Sequence, residues 1–507
     1  MKRSSIRSRW LGKALWLTCF ILLLYFATRI TALDLLPLHS DEGLHLTRAL
    51  EVWKLHPYWE IGDGKIINHW VIALFYPQHD PVFIGRIATI FVAMIGLAAG
   101  VTLARRWFGW TAALFAGLLW TTSAYLFFFE RLAFSDAEAG ALIVLSILFA
   151  LHLTRTGNRR DVIATGVSLA LAALFKVSAA PFAAAVGLIL LMNERWPLRR
   201  RLIWSGWIAV IVVILFIPPV VYLTLRDRGL FDITYQWINT GGTAADATTG
   251  LSGNLARLES QLTDYGSWIG SALMLIGLAT LGLLKRRIGG ILLAGLLLPL
   301  GAFIMFGRDV QARHFVVALP LALTLGGAGL GVLFNRVRTY SRPLKWGLVG
   351  LSVASVSSAF AGFALISYQA PERLPLPQTV YMQHIITHAS GYGLREAVLS
   401  MTQTIRDPEI PVIASMFPDS CRRANLYTLD RVLLRCTDAP GTSEIEAALN
   451  TTGSAYVLTE SPGLIGLRFP DEAAVFNSTA EEIAAYPRPG ETTDTASIQL
   501  WLLTRIP

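Results

Sequence analysis

The stretch "LHSDEGLH", Leu38 to His45, sets two adjacent carboxylates, Asp41 and Glu42, between two histidines, His39 and His45. A carboxylate in such surroundings can take the proton of an attacking hydroxyl or amine, so Asp41 is a candidate general base with Glu42 and His45 as neighbours. Two other readings stay open on these residues alone. Asp41 and Glu42 also suit the first turn of a helix, where carboxylates complement the dipole. Glu42 and His45 further have the i, i+3 spacing of a Glu-x-x-His pair, with His39 and Asp41 close by. A metal there would be a divalent ion held mainly by oxygen; beyond that ion no cofactor is indicated.

More ionisable residues recur farther along. "FFFERLAFSDAEAG" carries Glu130, Arg131, Asp136 and Glu138; "GKIINHW" carries Lys65. Arg86, Lys176 and "GRDVQARHF", with Arg308, Asp309, Arg313 and His314, complete the set. Their surroundings are apolar. Of 507 residues, 54% are hydrophobic and only 15% charged, and the mean hydropathy is +0.52, which places the chain among membrane proteins. The net charge of +9 is spread as short Lys/Arg clusters between apolar runs, not gathered in one patch, so nucleic acid is not an expected partner.

Windows of roughly 20 residues give about eleven candidate spans, from Ala14–Thr28 to Gly347–Ile366. Val162–Phe175 and Ala179–Met192 are the shortest and nearly fuse around "FKVSAAP". Basic clusters fall before the first span and in every second loop, which predicts a cytoplasmic amino terminus and an extracytoplasmic carboxy-terminal region. The first span has the length and basic flank of an uncleaved helix, not of a signal peptide. Residues 1–366 then form a polytopic α-helical membrane domain with a first extracytoplasmic loop at 33–81, and 367–507 an exported α/β domain. In the latter, helices at "GLREAVLSMTQTI" and "SEIEAALNTT" alternate with strands at "IPVIAS", "RVLLRC", "AYVLTE" and "SIQLWLLT". Cys421 and Cys436 lie in this tail, as a disulfide or as two thiols.

On this topology the ionisable groups converge on the outer side, while the middles of the spans are almost free of charge. That pattern counts against a transporter with a midplane ion site. It predicts an outer-leaflet cavity that offers carboxylates to one substrate and cations to an anionic group, most simply a lipid phosphate.

In this order the motifs resemble the GT-C superfamily of polytopic glycosyltransferases, especially its protein-O-mannosyltransferase and aminoarabinose-transferase branch. "LHSDEGLHL" looks like that family's first-loop acidic motif, "ERLAFSDAEAG" its second, and "ARHFVVALPLAL" its Arg-aromatic-Pro segment. "GKIINHW" is similar to its Lys-Pro-Pro-Leu-Trp segment, and "SGYGLREAV" with the α/β tail looks like bacterial members. Two positions depart from the pattern. Ile66 and Ile67 replace the prolines, and Leu44 stands where the aminoarabinose branch commonly has Arg.

The resemblance implies a GT-C fold in the cell (inner or plasma) membrane and a polyprenyl-phosphate-linked sugar as donor. It also implies transfer on the extracytoplasmic side to a lipid, glycan or protein acceptor, with inversion at the anomeric centre. Lys65, Arg131 and Arg313, with Arg86 and Lys176 behind them and His314 beside, would bind the leaving phosphate. Asp41 would be the base, and Asp136 would orient acceptor or sugar. The competing readings are an oligosaccharide ligase or polymerase on the same carriers, a transporter or flippase, and a protein whose exported domain alone is functional.

Overall fold

A computed structural model describes residues 2–58, 63–75, 77–230, 232, 250–266, 268–307, 310–337, 342–405, 410–428, 434–437, 442–460 and 476–506. Arg308 and Asp309 lie outside them. The chain divides into two compact units: Met1–Leu33, Val52–Phe75 and Gly85–Pro377 form one, and Asp34–Glu51, Tyr76–Ile84 and Gln378–Pro507 the other.

The first unit is helical. All eleven expected spans fall on helical chain, and among the described residues six helices are long and apolar enough to cross a membrane, seven if one bent pair is a single span. In that pair, Trp110–Thr121 and Ala124–Glu130, the axis turns by 61°. Ser123 explains the break, because its hydroxyl accepts the Leu126 N–H at 3.3 Å and caps a new helix. The span Leu319–Val337 is preceded by a separate short helix, Ala312–Val316.

Burial separates the centre of this unit from its rim. In Ser135–Thr156, 72% of the apolar window is buried, against 17% in Leu198–Thr224, whose Trp207, Val213 and Ile214 are exposed. A helix that is apolar all round and mostly exposed in a chain of this composition faces lipid.

Small residues set the closest helix contacts. On Leu319–Val337, Gly327 and Gly331 face the backbone of Ala116 and Ala112 in Trp110–Thr121, while Gly326 and Gly329 face Met274 and Gly277 in Ile269–Leu284. A Cβ at Gly331 would stand 2.3 Å from the Ala112 Cα, and one at Gly329 1.8 Å from the Gly277 carbonyl oxygen. Two stripes of glycine on one helix thus let two partners pack against it, as small-residue spacing does in membrane bundles.

The second unit is built on a five-stranded sheet in the order β2-β1-β3-β5-β4, with β1 Val412–Ser415, β2 Leu434–Thr437, β3 Ser454–Glu460, β4 Ser478–Tyr486 and β5 Ile498–Arg505. β1 pairs in parallel with β2 and β3; β5 runs antiparallel to β3 and β4. Alternate residues face two cores. Val412, Ala414 and Leu500 pack with helix Leu394–Thr404, and Ile413, Val457 and Leu503 with Ile445 and Leu449 of helix Thr442–Thr452. The expected strands and helices of the tail are present. Two further elements are helix Pro418–Thr428 and the edge strand β4. "STAEEIAAY" is rich in helix formers and becomes a strand only by pairing with β5, a tertiary override of local propensity. Cys421, buried in Pro418–Thr428, is disulfide-bonded to Cys436 of β2.

Gly331→Ala is expected to lower the unfolding temperature of the detergent-solubilised protein, an overpacking loss of about 1–3 kcal/mol. Gly350→Ala, where an added Cβ meets nothing within 4 Å, should raise it slightly through helix propensity. Equal shifts in the two variants would show that the glycine stripes do not set the packing.

Candidate functional site

The helix Ser135–Thr156 begins with a polar first turn, and Ser135, Asp136 and Glu138 are all buried there. Carboxylates in that position complement the helix dipole, yet at this depth each needs a further partner. Lys176 supplies one, forming a buried ion pair with Asp136. It stands in extended backbone (φ −157°, ψ 125°) between helix Arg159–Phe175 and the short 3-10 segment Val177–Phe182, so a break in the helix turns its ammonium toward Asp136. Glu138 takes the other partner: Asn68 Nδ2 donates to its carboxylate at 2.6 Å.

Lys65 reaches the same region by a backbone hook. The Ile66 N–H donates to the Leu174 carbonyl at 2.8 Å, two residues before Lys176, and Ile66 packs with Leu174, Leu223 and Leu230. This accounts for the departure from the family's proline, since a proline at 66 has no N–H to make that bond. Lys65 pairs with Asp63 at 3.6 Å, and the charges of Lys65 and Asp63 both act on Lys176.

Arg313 and His314 arrive on the short helix Ala312–Val316. Gly140, one turn into Ser135–Thr156, gives that segment room: a Cβ there would stand 2.8 Å from the Val317 carbonyl oxygen. The Tyr125 hydroxyl donates to the Ala312 carbonyl at 2.5 Å, and its ring stacks on Tyr265 at 4.7 Å. His314 Nδ1 accepts the Gln311 N–H at 3.1 Å and so caps the helix that presents Arg313. Burial lowers Arg313 to about 10, which leaves it charged at neutral pH. Burial, then the cations Lys176, Arg313 and Lys65, holds His314 well below its ordinary value. Lys65, Lys176, Arg313 and His314 therefore converge, with Asp63 and Asp136 as counter-charges. Glu138, the third carboxylate of this region, is engaged by Asn68, and the grouping of Lys65, Lys176 and Arg313 suits an anion with a phosphate's geometry.

Arg86 and Arg131 are placed differently. With Arg29, which the sequence did not single out, they hold the chain where it leaves helix Lys2–Ile30. Arg131 donates to the Ala32 carbonyl at 2.7 Å and the Ser367 hydroxyl at 3.2 Å, and fully buried Arg86 donates to the Leu33 carbonyl at 2.8 Å. Arg29 forms a fully buried ion pair with Glu130 at 3.0 Å and donates to the Thr121 carbonyl at 2.6 Å; Trp120 Nε1 donates to the same carboxylate at 2.8 Å. These contacts position backbone.

The paired carboxylates of the first loop lie in the other unit, on helix Ser40–Trp53, and they have separate surroundings. Glu42 is fully buried and accepts the His39 N–H at 3.1 Å, so it caps its own helix. Asp41 is half-buried, and its N–H donates to His39 Nδ1 at 3.1 Å. His45 is buried on the same helix. The tail moors this segment. Arg423, fully buried on Pro418–Thr428, donates to the carbonyls of Leu38 (3.2 Å), His388 (2.7 Å) and Ala389 (3.1 Å). The Leu38 N–H donates to Tyr427 Oη at 2.7 Å, Arg395 donates to the Leu35 carbonyl at 3.1 Å, and the His39 ring stacks on His384 at 4.4 Å. Gly43 is needed beside Arg423, since a Cβ there would stand 2.6 Å from the Arg423 Cγ. Sequence reasoning missed Arg423; its only signal was the pair of arginines in "CRRANLY". Among the described residues no group of three or more His, Cys, Asp or Glu side chains is arranged to hold a metal ion.

Residues 64–222 match the family model described as dolichyl-phosphate-mannose-protein mannosyltransferase. ArnT from Cupriavidus metallidurans bound to undecaprenyl phosphate has a similar structure, with a TM-score of 0.63 at 14% identity over 98% of each chain; its apo state gives the same values. The oligosaccharyltransferase AglB from Archaeoglobus fulgidus, in complex with an inhibitory peptide and a dolichol-phosphate, aligns at a TM-score of 0.49 and 12% identity, over 89% of this chain and 70% of that one. No curated protein matches the sequence. The fold is that of the ArnT structure, in a multi-pass membrane protein.

The His314 cap requires an unprotonated Nδ1, and a His whose folded pKa is depressed loses stability as pH falls below its unfolded value near 6.5. Unfolding temperature is therefore expected to drop between pH 7 and 5, with His314 contributing at most about 1.4 kcal/mol per pH unit. His314→Asn, which retains a cap acceptor, should flatten that slope. An unchanged slope would remove His314 from the account.

Proposed function

We propose that the protein is a glycosyltransferase that moves a sugar from a polyprenyl-phosphate carrier to an acceptor hydroxyl or amine on the extracytoplasmic side of the membrane. The observation that carries this reading is the convergence of Lys65, Lys176 and Arg313 beside Asp136. The similarity in fold to an ArnT structure bound to undecaprenyl phosphate and the family match over 64–222 support it.

In this reading the acceptor heteroatom attacks the anomeric carbon, and the bond from that carbon to the phosphate oxygen breaks. The electron pair leaves with the polyprenyl phosphate. Charge thus grows on the phosphate in the transition state, where fixed cations stabilise it most. Lys176 and Arg313 take this role, with Lys65 beside them. The pairing of Lys176 with Asp136 keeps the ammonium in place before substrate arrives, and Asp136 orients the sugar or acceptor. Asp41 accepts the acceptor's proton. This assignment rests on its motif position and on its being the half-buried member of the pair, since Glu42 is occupied as a cap. His45 and Glu42 shape the ground around it. Arg86 and Arg131 act on the phosphate indirectly, through the backbone that they hold.

A cytoplasmic amino terminus and an extracytoplasmic tail follow from the basic clusters. The Cys421–Cys436 bridge supports the same orientation, because disulfides persist in oxidising compartments.

Assayed with radiolabelled polyprenyl-phosphate monosaccharides in nanodiscs, Asp41→Asn is expected to cut turnover by about 10²–10⁴-fold. Lys176→Gln should cut it by about 10²–10³-fold. Because Lys176→Gln alone leaves Asp136 buried without its cation, the double variant Lys176→Gln/Asp136→Asn should recover stability but not activity. Full turnover in Asp41→Asn would eliminate it as the base.

A further inference from the structure

At the far end of Ser135–Thr156 from the Lys176–Asp136 pair, about 28 Å along the helix at 1.5 Å per residue, lies a cavity of about 420 Å³. Arg155, Arg195 and Arg287 line it, with Glu194 as its carboxylate. Glu194 pairs with Arg287 at 2.6 Å. Arg155 and Arg195 form no ion pair with described residues. Instead the charges of Arg195 and Arg106 act on Arg155, whose guanidinium lies 4.3 Å over the Trp107 ring. The loop that carries Arg195 is held by a local turn, since Asn193 Oδ1 accepts the Arg195 N–H at 3.3 Å. Ile189, Ile288 and Ile291 make an apolar part of the lining.

Like charges gathered this closely repel one another, and a bound anion relieves that repulsion. An inorganic anion has no use for the isoleucine lining. A molecule with a phosphate at one end and hydrocarbon at the other uses both, and a cavity at the ends of membrane-spanning helices is reached from the bilayer. We propose that this cavity binds an anionic phospholipid, its phosphate between Arg155 and Arg195 and its acyl chains along Ile189 and Ile288. Basic pockets between spans commonly hold such headgroups. The site is a bilayer's thickness from the proposed chemistry and does not depend on that reading.

The test uses the full-length protein in a neutral detergent, with lipid adducts counted by native mass spectrometry and thermal unfolding followed in parallel. The probes are phosphatidylglycerol, phosphatidylcholine and inorganic phosphate. Phosphatidylglycerol is expected to bind and to raise the unfolding temperature, while the other two do neither. Arg155→Gln/Arg195→Gln should bind phosphatidylglycerol about tenfold more weakly. Arg159→Gln/Arg160→Gln, which removes two cations from the same end of the membrane outside the cavity, should bind it as wild type does. Should the first variant fail to fold, Arg195→Gln alone, on an exposed loop, carries the same expectation at smaller size. Equal affinity in the cavity variant, equal binding of phosphatidylcholine, or inorganic phosphate reproducing the shift would each overturn the proposal, the last by assigning the cavity to a free anion.

Discussion

Lys176 and Asp136 are buried together at the start of the most enclosed helix, and that ion pair constrains everything around it. A lone ammonium or carboxylate at such a place would neutralise or draw in water; a matched pair stays charged and fixed. The backbone is arranged to deliver the two partners. One helix must begin at Ser135 and another must stop at Phe175. The Ile66 N–H fastens Lys65 beside that stop, and Gly140 leaves room for the Arg313 segment. The three cations gathered there are the physical basis for reading this place as a phosphate site.

Buried charge is handled by the same rule elsewhere. Arg29, Arg86 and Arg131 lie deep among apolar helices, and each finds carbonyl oxygens, with Glu130 answering Arg29. In the other unit Arg423 does the same with three carbonyls and so moors the Asp41 segment to the tail sheet. A guanidinium has five donors in a fixed fork, which makes it suited to tie several backbone turns at once. The tail thus contributes to the first-loop motif by holding its backbone, quite apart from any binding of its own.

The sequence showed the helices because twenty-residue apolar runs have few other outcomes, and it showed most of the tail strands because they are buried and β-branched. It did not show the 61° break at Thr122 and Ser123, where one hydroxyl decides the cap, nor β4, whose alanines and glutamates favour helix until β5 pairs with them. Lys65, Lys176, Arg313 and His314 were legible as ionisable groups near span ends. Their gathering on one side of the membrane was legible too, but the contacts that hold them together were not, because these depend on one backbone hydrogen bond and one glycine contact between residues far apart in the chain. Arg86 and Arg131 read as phosphate ligands by type and place; their bonds to the Leu33 and Ala32 carbonyls were not legible. In sequence Asp41 was set apart from Glu42 by motif position alone; the His39 N–H adds a physical difference by engaging Glu42.

The central claim is that the Lys176–Asp136 cluster receives the phosphate of a lipid carrier. Isothermal titration of the protein in nanodiscs with undecaprenyl phosphate, the leaving group itself, tests it without any sugar or acceptor. Wild type is expected to bind with an affinity that falls on the order of tenfold or more in Arg313→Gln and in Lys176→Gln/Asp136→Asn, while Arg423→Gln, in the other unit, leaves it unchanged. Binding of undiminished strength in the cluster variants, with the fold intact, would contradict the account.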